Sequence, residues 1–230
     1  MNYCFFFTLF IFNLAFADIE VGASQSLTRV YAIDGVTPPA KLRSNIGLGI
    51  DFAGDIKYNE NKFFIYGVSG KILHFNSPIE AKLSRNFTSI NDYFIGLKKI
   101  SENSQYSFKL GTENFLYYQY YNNQYQIIRA TPLLMNLNLQ KRLNSLKDLK
   151  YTVGLKSYLP FADKRDSGKV GYGSLVRLSY EMEENQAKFS PYLETEYAIK
   201  KIKQTSFSRL TISLGFTITI DIREKKSKLF

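Results

Sequence analysis

The chain has 230 residues, with 30 Lys and Arg against 20 Asp and Glu for a formal net charge of +10, and it holds 17 Tyr, 19 Phe, one His, one Cys and no Trp. Disulfides, thiolate metal centres and cysteine nucleophiles are excluded once Cys4 leaves with the leader described next, and a single imidazole remains for acid–base chemistry. The length suits one domain, and a basic surplus spread along an exported chain suits anionic lipid headgroups better than nucleic acid.

Residues 1–17 read MNYCFFFTLFIFNLAFA, an apolar core from Phe5 to Phe16 ending in Ala15-Phe16-Ala17 before the polar Asp18. This is the pattern of a cleaved secretory signal peptide. No Lys or Arg precedes the apolar core, which leaves a retained anchor as the alternative; the run is short of the ~20 apolar residues of a spanning helix. Residues 18–42 alternate briefly at Ile19, Val21 and Ala23 before Asp34-Gly35 and Thr37-Pro38-Pro39 break the pattern. They read either as a periplasmic lead-in or as an extra strand.

From residue 43 to 222 the dominant period is two, the signature of strands with unlike faces. In chain order the apolar sets are Ile46/Leu48/Ile50/Phe52, Phe64/Tyr66/Val68/Ile72, Ile79/Ala81/Leu83/Phe87, Tyr93/Ile95/Leu97, Tyr106/Phe108/Leu110/Leu116/Tyr118 and Leu133/Met135/Leu137/Leu139. Leu149–Leu159, Val170–Met182, Phe189–Ile199 and Leu210–Ile222 complete ten strands. The last is the clearest: Leu210, Ile212, Leu214, Phe216, Ile218, Ile220 and Ile222 oppose Thr211, Ser213, Gly215, Thr217, Thr219 and Asp221. Such a strand exceeds the length of most soluble ones and suits a tilted membrane crossing of about 9–11 residues. Only helices and closed barrels satisfy every backbone polar group in hydrocarbon, so a chain without a second long apolar run crosses, if at all, as a closed barrel.

With the strand near 44–53 running outward, inner turns fall at Asn76-Ser77-Pro78, Ser101–Ser104, Asn144–Asp148 and Glu183–Gln186. Longer outer loops fall near 54–61, 88–91, 121–126, 160–169 and 201–207, in keeping with short periplasmic turns and long outside loops. Aromatics near strand ends (Tyr58, Phe63, Tyr93, Tyr117, Tyr118, Tyr120, Tyr121, Tyr125, Tyr158, Phe161, Tyr192 and Phe207) suit interfacial girdles. A soluble ligand-carrying barrel is the competing reading, and it demands the opposite facing: apolar inside, polar outside. The end, 223–230, reads as a basic tail.

The alternation resembles that of the small bacterial outer-membrane β-barrels, the OmpA-like and OmpX-like barrels and the wider porin-like group, over residues 44–222. What the resemblance implies is an all-β, antiparallel transmembrane barrel of about ten strands in the outer membrane, contacting lipid and lipopolysaccharide and inserted by the barrel-assembly machinery. It rests on alternation and turn order, so no family site residues carry over.

Catalytic, cofactor and metal sites are not expected. His74-Phe75-Asn76-Ser77 lacks the spacing of a His/Ser lipid hydrolase, and Glu181/Glu183/Glu184 and Glu194/Glu196 read as a solvated turn and as interior charges. With the apolar face outward, the lumen receives Lys71, Lys82, Lys98, Lys109, Lys150, Lys156, Arg177 and Arg209 together with Asp51, Glu80, Glu113, Glu181, Glu194 and Glu196. Mixed signs in a barrel this narrow favour mutual pairing and a plugged interior, since open aqueous channels come with about 16 strands. The expectation is therefore a non-enzymatic structural or surface-interaction barrel. A small channel with a weak anion preference and a lipid-modifying enzyme are the alternatives.

Overall fold

The computed structural model describes residues 17–34, 41–77, 82–143, 146–160, 169–184 and 187–221, so residues 1–16 of the expected leader and the tail at 223–230 lie outside the described residues. Among the described residues every regular element is a strand: β1 (Ala17–Asp34), β2 (Lys41–Arg43), β3 (Gly47–Asn59), β4 (Lys62–His74), β5 (Lys82–Leu83), β6 (Phe87–Ser101), β7 (Ser104–Glu113), β8 (Phe115–Tyr121), β9 (Gln124–Ala130), β10 (Leu133–Leu143), β11 (Leu146–Leu159), β12 (Gly171–Tyr180), β13 (Met182–Glu184), β14 (Ala187–Ile202) and β15 (Thr205–Asp221).

Ten of these form an antiparallel wall in the order β1, β3, β4, β6, β7, β10, β11, β12, β14, β15. β15 returns to β1 along nearly its whole length, from Asp18 opposite Asp221 to Asp34 opposite Ser206, so the sheet closes and has no free edge. β12 and β13 are one wall strand interrupted opposite Pro191. Ser179 faces Tyr192 and Met182 faces Phe189 in a single register, while Pro191 has no N–H to donate in the gap. The Glu181 N–H bonds instead to the Asp148 carbonyl, at 2.7 Å.

Facing follows the alternation. On β15 Leu214 is 64% exposed, whereas Arg209 on the opposite face is 1% exposed. The outward surface carries Leu27, Leu48, Ile50, Ile95, Leu155, Val176 and their neighbours, all exposed, and the inward faces carry Ser, Thr, Asn and charged residues. A contiguous apolar belt around a polar interior suits lipid outside and contradicts the soluble-carrier reading.

The ten-strand count holds, but its membership differs from expectation. Ala17–Asp34 is a wall strand, with Ser24, Ser26 and Thr28 buried inside. The expected strand at Ile79–Phe87 is not in the wall: residues 78–81 lie outside the described residues, and Lys82–Leu83 runs parallel to Gln124–Tyr125. One strand gained and one lost reverse the sense of β3, so the loop expected at 54–61 is an inner turn of two residues, 60–61, with 54–59 inside β3, and residues 76–77 of the expected inner turn lie at the outer end. Residues 88–91 belong to β6 instead of a loop.

β3 and β4, β6 and β7, β10 and β11, and β13 and β14 are each two residues apart in sequence, at the end where β1 starts and β15 finishes. By the turn-length rule of outer-membrane barrels that end is the periplasmic one. At the opposite, outer end the wall strands β1 and β3, β4 and β6, β7 and β10, and β11 and β12 are each more than ten residues apart in sequence, and β14 and β15 are joined by the two residues 203–204.

Candidate functional site: a charged interior under an aromatic hairpin

The stretch between β7 and β10 forms a hairpin of β8 and β9 that folds into the outer mouth. Its turn, Asn122-Asn123, has φ of 48° and 58°, the left-handed pair of a type I′ turn, in a residue type that tolerates it. Phe115, Leu116, Tyr117, Tyr118 and Tyr125 are fully buried against inward side chains of the wall, among them Val30, Leu73, Leu134, Tyr158 and Phe207. The rings meet edge to face: Tyr118 on Phe207 at 5.2 Å, Tyr118 on Tyr125 at 5.5 Å and Phe115 on Tyr158 at 5.7 Å between centroids. The Tyr118 hydroxyl accepts the Ala32 N–H at 3.1 Å, and Leu83 in the stretch after β4 is buried against the same cluster.

Below the hairpin lies an ionic network built from four wall strands. Arg209 of β15 pairs with Glu113 at the end of β7 and with Glu196 of β14. Lys156 of β11 reaches Glu113 at 2.6 Å and Glu196 at 2.7 Å, and the Tyr158 hydroxyl donates to Glu113 at 3.0 Å. Two cations and two carboxylates balance, which is the condition for burying them together. The network also holds the hairpin by its root. Arg209 Nη1 donates to the Asn114 carbonyl at 2.9 Å, the Asn114 side chain accepts from Thr131 at 3.0 Å, and Phe115 lies 5.6 Å from the Arg209 guanidinium.

Further tiers follow toward the inner end. Arg177 donates to Glu194 at 2.8 Å and stacks 4.2 Å from the Tyr192 ring, and Lys71 approaches Glu194 at 3.7 Å. Lys109 sits 3.9 Å from the Phe94 ring centroid, and that ring has its place because Gly67 has no Cβ, which would meet it at 2.5 Å. Lys98 pairs with Asp55, and Arg142 and Lys150 with Glu181.

These tiers line a cavity of about 760 Å³ that reaches the inner turn at Ser101–Ser104 and ends at Glu113, Glu196 and Arg209. Of the interior charges read from the sequence, Lys109, Lys156, Arg177, Arg209, Glu181, Glu194 and Glu196 all line it. Lys82 does not: it is exposed at the outer end opposite Gln124, because the strand expected to carry it is absent from the wall. Glu80 lies outside the described residues. Among the described residues, eleven carboxylates and nine cations line the cavity, so the basic excess that suggested anion preference does not hold for them; Asp18, Glu20, Asp55 and Asp92 reverse it.

The aromatic assignment is corrected as well. Tyr58, Tyr93, Tyr120 and Tyr121 are exposed, and Phe161 lies outside the described residues. Phe63, Tyr117, Tyr118, Tyr125, Tyr158, Tyr192 and Phe207 face inward and are buried, serving the hairpin and the ionic tiers instead of a girdle.

His74 closes β4 at the outer edge. Its Nδ1 lies 3.0 Å from the Asn45 amide and its ring 4.6 Å from Phe87, while the Ser77 hydroxyl accepts the Leu83 N–H at 3.2 Å. Among the described residues no three His, Cys, Asp or Glu side chains are grouped to hold a metal.

No family model matches the sequence, and no curated protein matches it. Among solved structures, the chain is similar to an outer membrane channel from Pseudomonas putida F1, with a TM-score of 0.50 and 10% identity over 89% of this chain and 95% of that one. It is similar to the outer membrane protease OmpT from Escherichia coli at a TM-score of 0.45, with 10% identity over 89% and 96% of the two chains. Ail, the attachment invasion locus protein of Yersinia pestis, gives 0.36, with 14% identity over 87% and 97%. The likeness is one of fold, and the chain has the fold of an outer-membrane β-barrel.

Proposed function

We propose that this protein is a non-enzymatic outer-membrane barrel with a structural or surface-interaction role, closed at its outer mouth by its own hairpin. The observation that carries this reading is the stack of a buried aromatic hairpin on a charge-balanced network, Arg209 and Lys156 with Glu113 and Glu196, which spans the interior. A solute entering from the inner end meets a blind polar vestibule. A ten-stranded wall leaves room for side chains to fill the rest. Outer-membrane lipid and lipopolysaccharide cover the apolar belt in this reading, the barrel-assembly machinery inserts it, and the leader at 1–17 exports it.

The small channel is the second reading, and the vestibule favours it: half of a pathway is already formed, and opening it requires the hairpin to leave. Planar-bilayer recording of the refolded protein tests the choice. The closed reading expects no steady open level from the intact chain, and a stable one when 115–130 is replaced by a short Gly-Ser linker. A steady level from the intact chain favours the channel.

A further inference from the structure

On the outward face of the outer rim, Arg29 of β1 stands directly opposite Arg43 of β2, and Tyr31 opposite Lys41. All three cations are exposed. Directly opposed residues have their Cβ atoms about 4.5–5.5 Å apart, and like charges in that relation repel. No carboxylate among the described residues pairs with either guanidinium. The repulsion is built into a rigid wall, since the Arg43 carbonyl accepts the Asn76 N–H at 3.0 Å and β1 is paired on both sides.

Immediately inward of the pair, on the same face, lie the exposed Leu27, Ile46, Leu48 and Ile72. Beside it, Asn76 donates to Asn45 at 2.8 Å and Asn45 meets His74, which gives a polar shelf next to the exposed Phe87. A cationic fork above an apolar strip is the complement of an amphiphile with an anionic head and acyl chains. Guanidinium groups bind phosphate through two parallel hydrogen bonds, a geometry that an ammonium cannot offer.

We infer that Arg29, Arg43 and Lys41 form a binding site for the phosphate of an anionic lipid in the outer leaflet, whose chains lie along Leu27, Ile46, Leu48 and Ile72. The site rests on the reading that this face meets lipid. A second outward pair, Lys62 opposite Lys99 at the inner end, has charge without the planar fork or the polar shelf and serves as the internal control.

The test uses the full mature barrel in zwitterionic micelles, titrated with short-chain phosphatidic acid, with retained lipid read by native mass spectrometry and the folded fraction by the mobility difference of boiled and unboiled samples. Wild type and K62Q/K99Q are expected to retain phosphatidic acid saturably and R29Q/R43Q at least tenfold more weakly, all three keeping the mobility difference. Equal retention by R29Q/R43Q overturns the site, as does an equal loss in K62Q/K99Q. Displacement of the lipid by equimolar inorganic phosphate overturns the lipid as its occupant. A protein that is soluble without detergent and shows no mobility difference fails the membrane reading itself, a result distinguishable from failure of the site.

Discussion

Replacing Arg209 with Met probes the interior most sharply. The guanidinium is 1% exposed and holds Glu113, Glu196 and the Asn114 carbonyl at once. Its loss leaves two buried carboxylates sharing Lys156, a net charge of −1 where the pair balance had been zero. Breaking a buried ion pair by removing one partner costs about 3–5 kcal/mol, because the surviving charge is left uncompensated. Met keeps most of the volume, so the cavity contribution is small and the electrostatic cost dominates. Pairing Arg209→Met with Glu196→Gln restores neutrality, with Lys156 still on Glu113, and is expected to recover more than half of the loss. Urea unfolding in detergent micelles, followed by Tyr fluorescence and by mobility on unboiled gels, gives the three free energies. A cost below ~1 kcal/mol for Arg209→Met, or a double variant as destabilised as the sum of the singles, refutes the charge-balance argument.

Substitutions at three other positions test the remaining layers. Leu214→Lys, at an exposed position in the apolar belt, is expected to cost about 2–4 kcal/mol for folding into lipid, where a soluble protein would tolerate it; unchanged folding into vesicles counts against the belt. Phe207→Ala removes a buried ring packed on Tyr117 and Tyr118 and is expected to cost about 3–5 kcal/mol, read by the same unfolding assay. Asn123→Val forces a β-branched residue to φ 58° and is expected to cost about 1–2 kcal/mol, whereas Asn123→Gly leaves stability unchanged or higher.

The wall was legible wherever one face is uniformly apolar. β15 alternates without exception from Leu210 to Ile220, and the interior charges on β11, β12, β14 and β15 follow from it. β1 was harder because Gln25 and Arg29 interrupt its outward face, and its inward Ser24, Ser26 and Thr28 are small instead of charged. Arg29 is there for a reason local pattern cannot state, namely its position at the rim above the belt.

The hairpin was illegible for a different reason. Leu116 and Tyr118 continue the period-two pattern of β7, so nothing local marks Asn114 as the point where the chain leaves the wall and turns into the mouth. An aromatic side chain suits a lipid interface and a packed plug equally well, so Tyr117, Tyr118, Tyr158 and Phe207 carried no sign of their facing. Only their shared cluster with Val30, Leu73 and Leu134 distinguishes the two. The signal nearest to hand was Asn122-Asn123, a two-residue I′ turn between aromatic runs, which marks a tight hairpin where a long outer loop was expected.

The most direct test of closure is sided labelling of single cysteines, since the only native one is Cys4. Ser107 faces the vestibule from β7, below the ionic network, and Asn122 sits at the hairpin tip. With a membrane-impermeant maleimide on intact cells, Asn122→Cys is expected to react and Ser107→Cys to stay unlabelled. Once the reagent reaches the periplasm, Ser107→Cys reacts too. Labelling of Ser107→Cys from outside, with the hairpin intact, contradicts a barrel closed at its outer mouth.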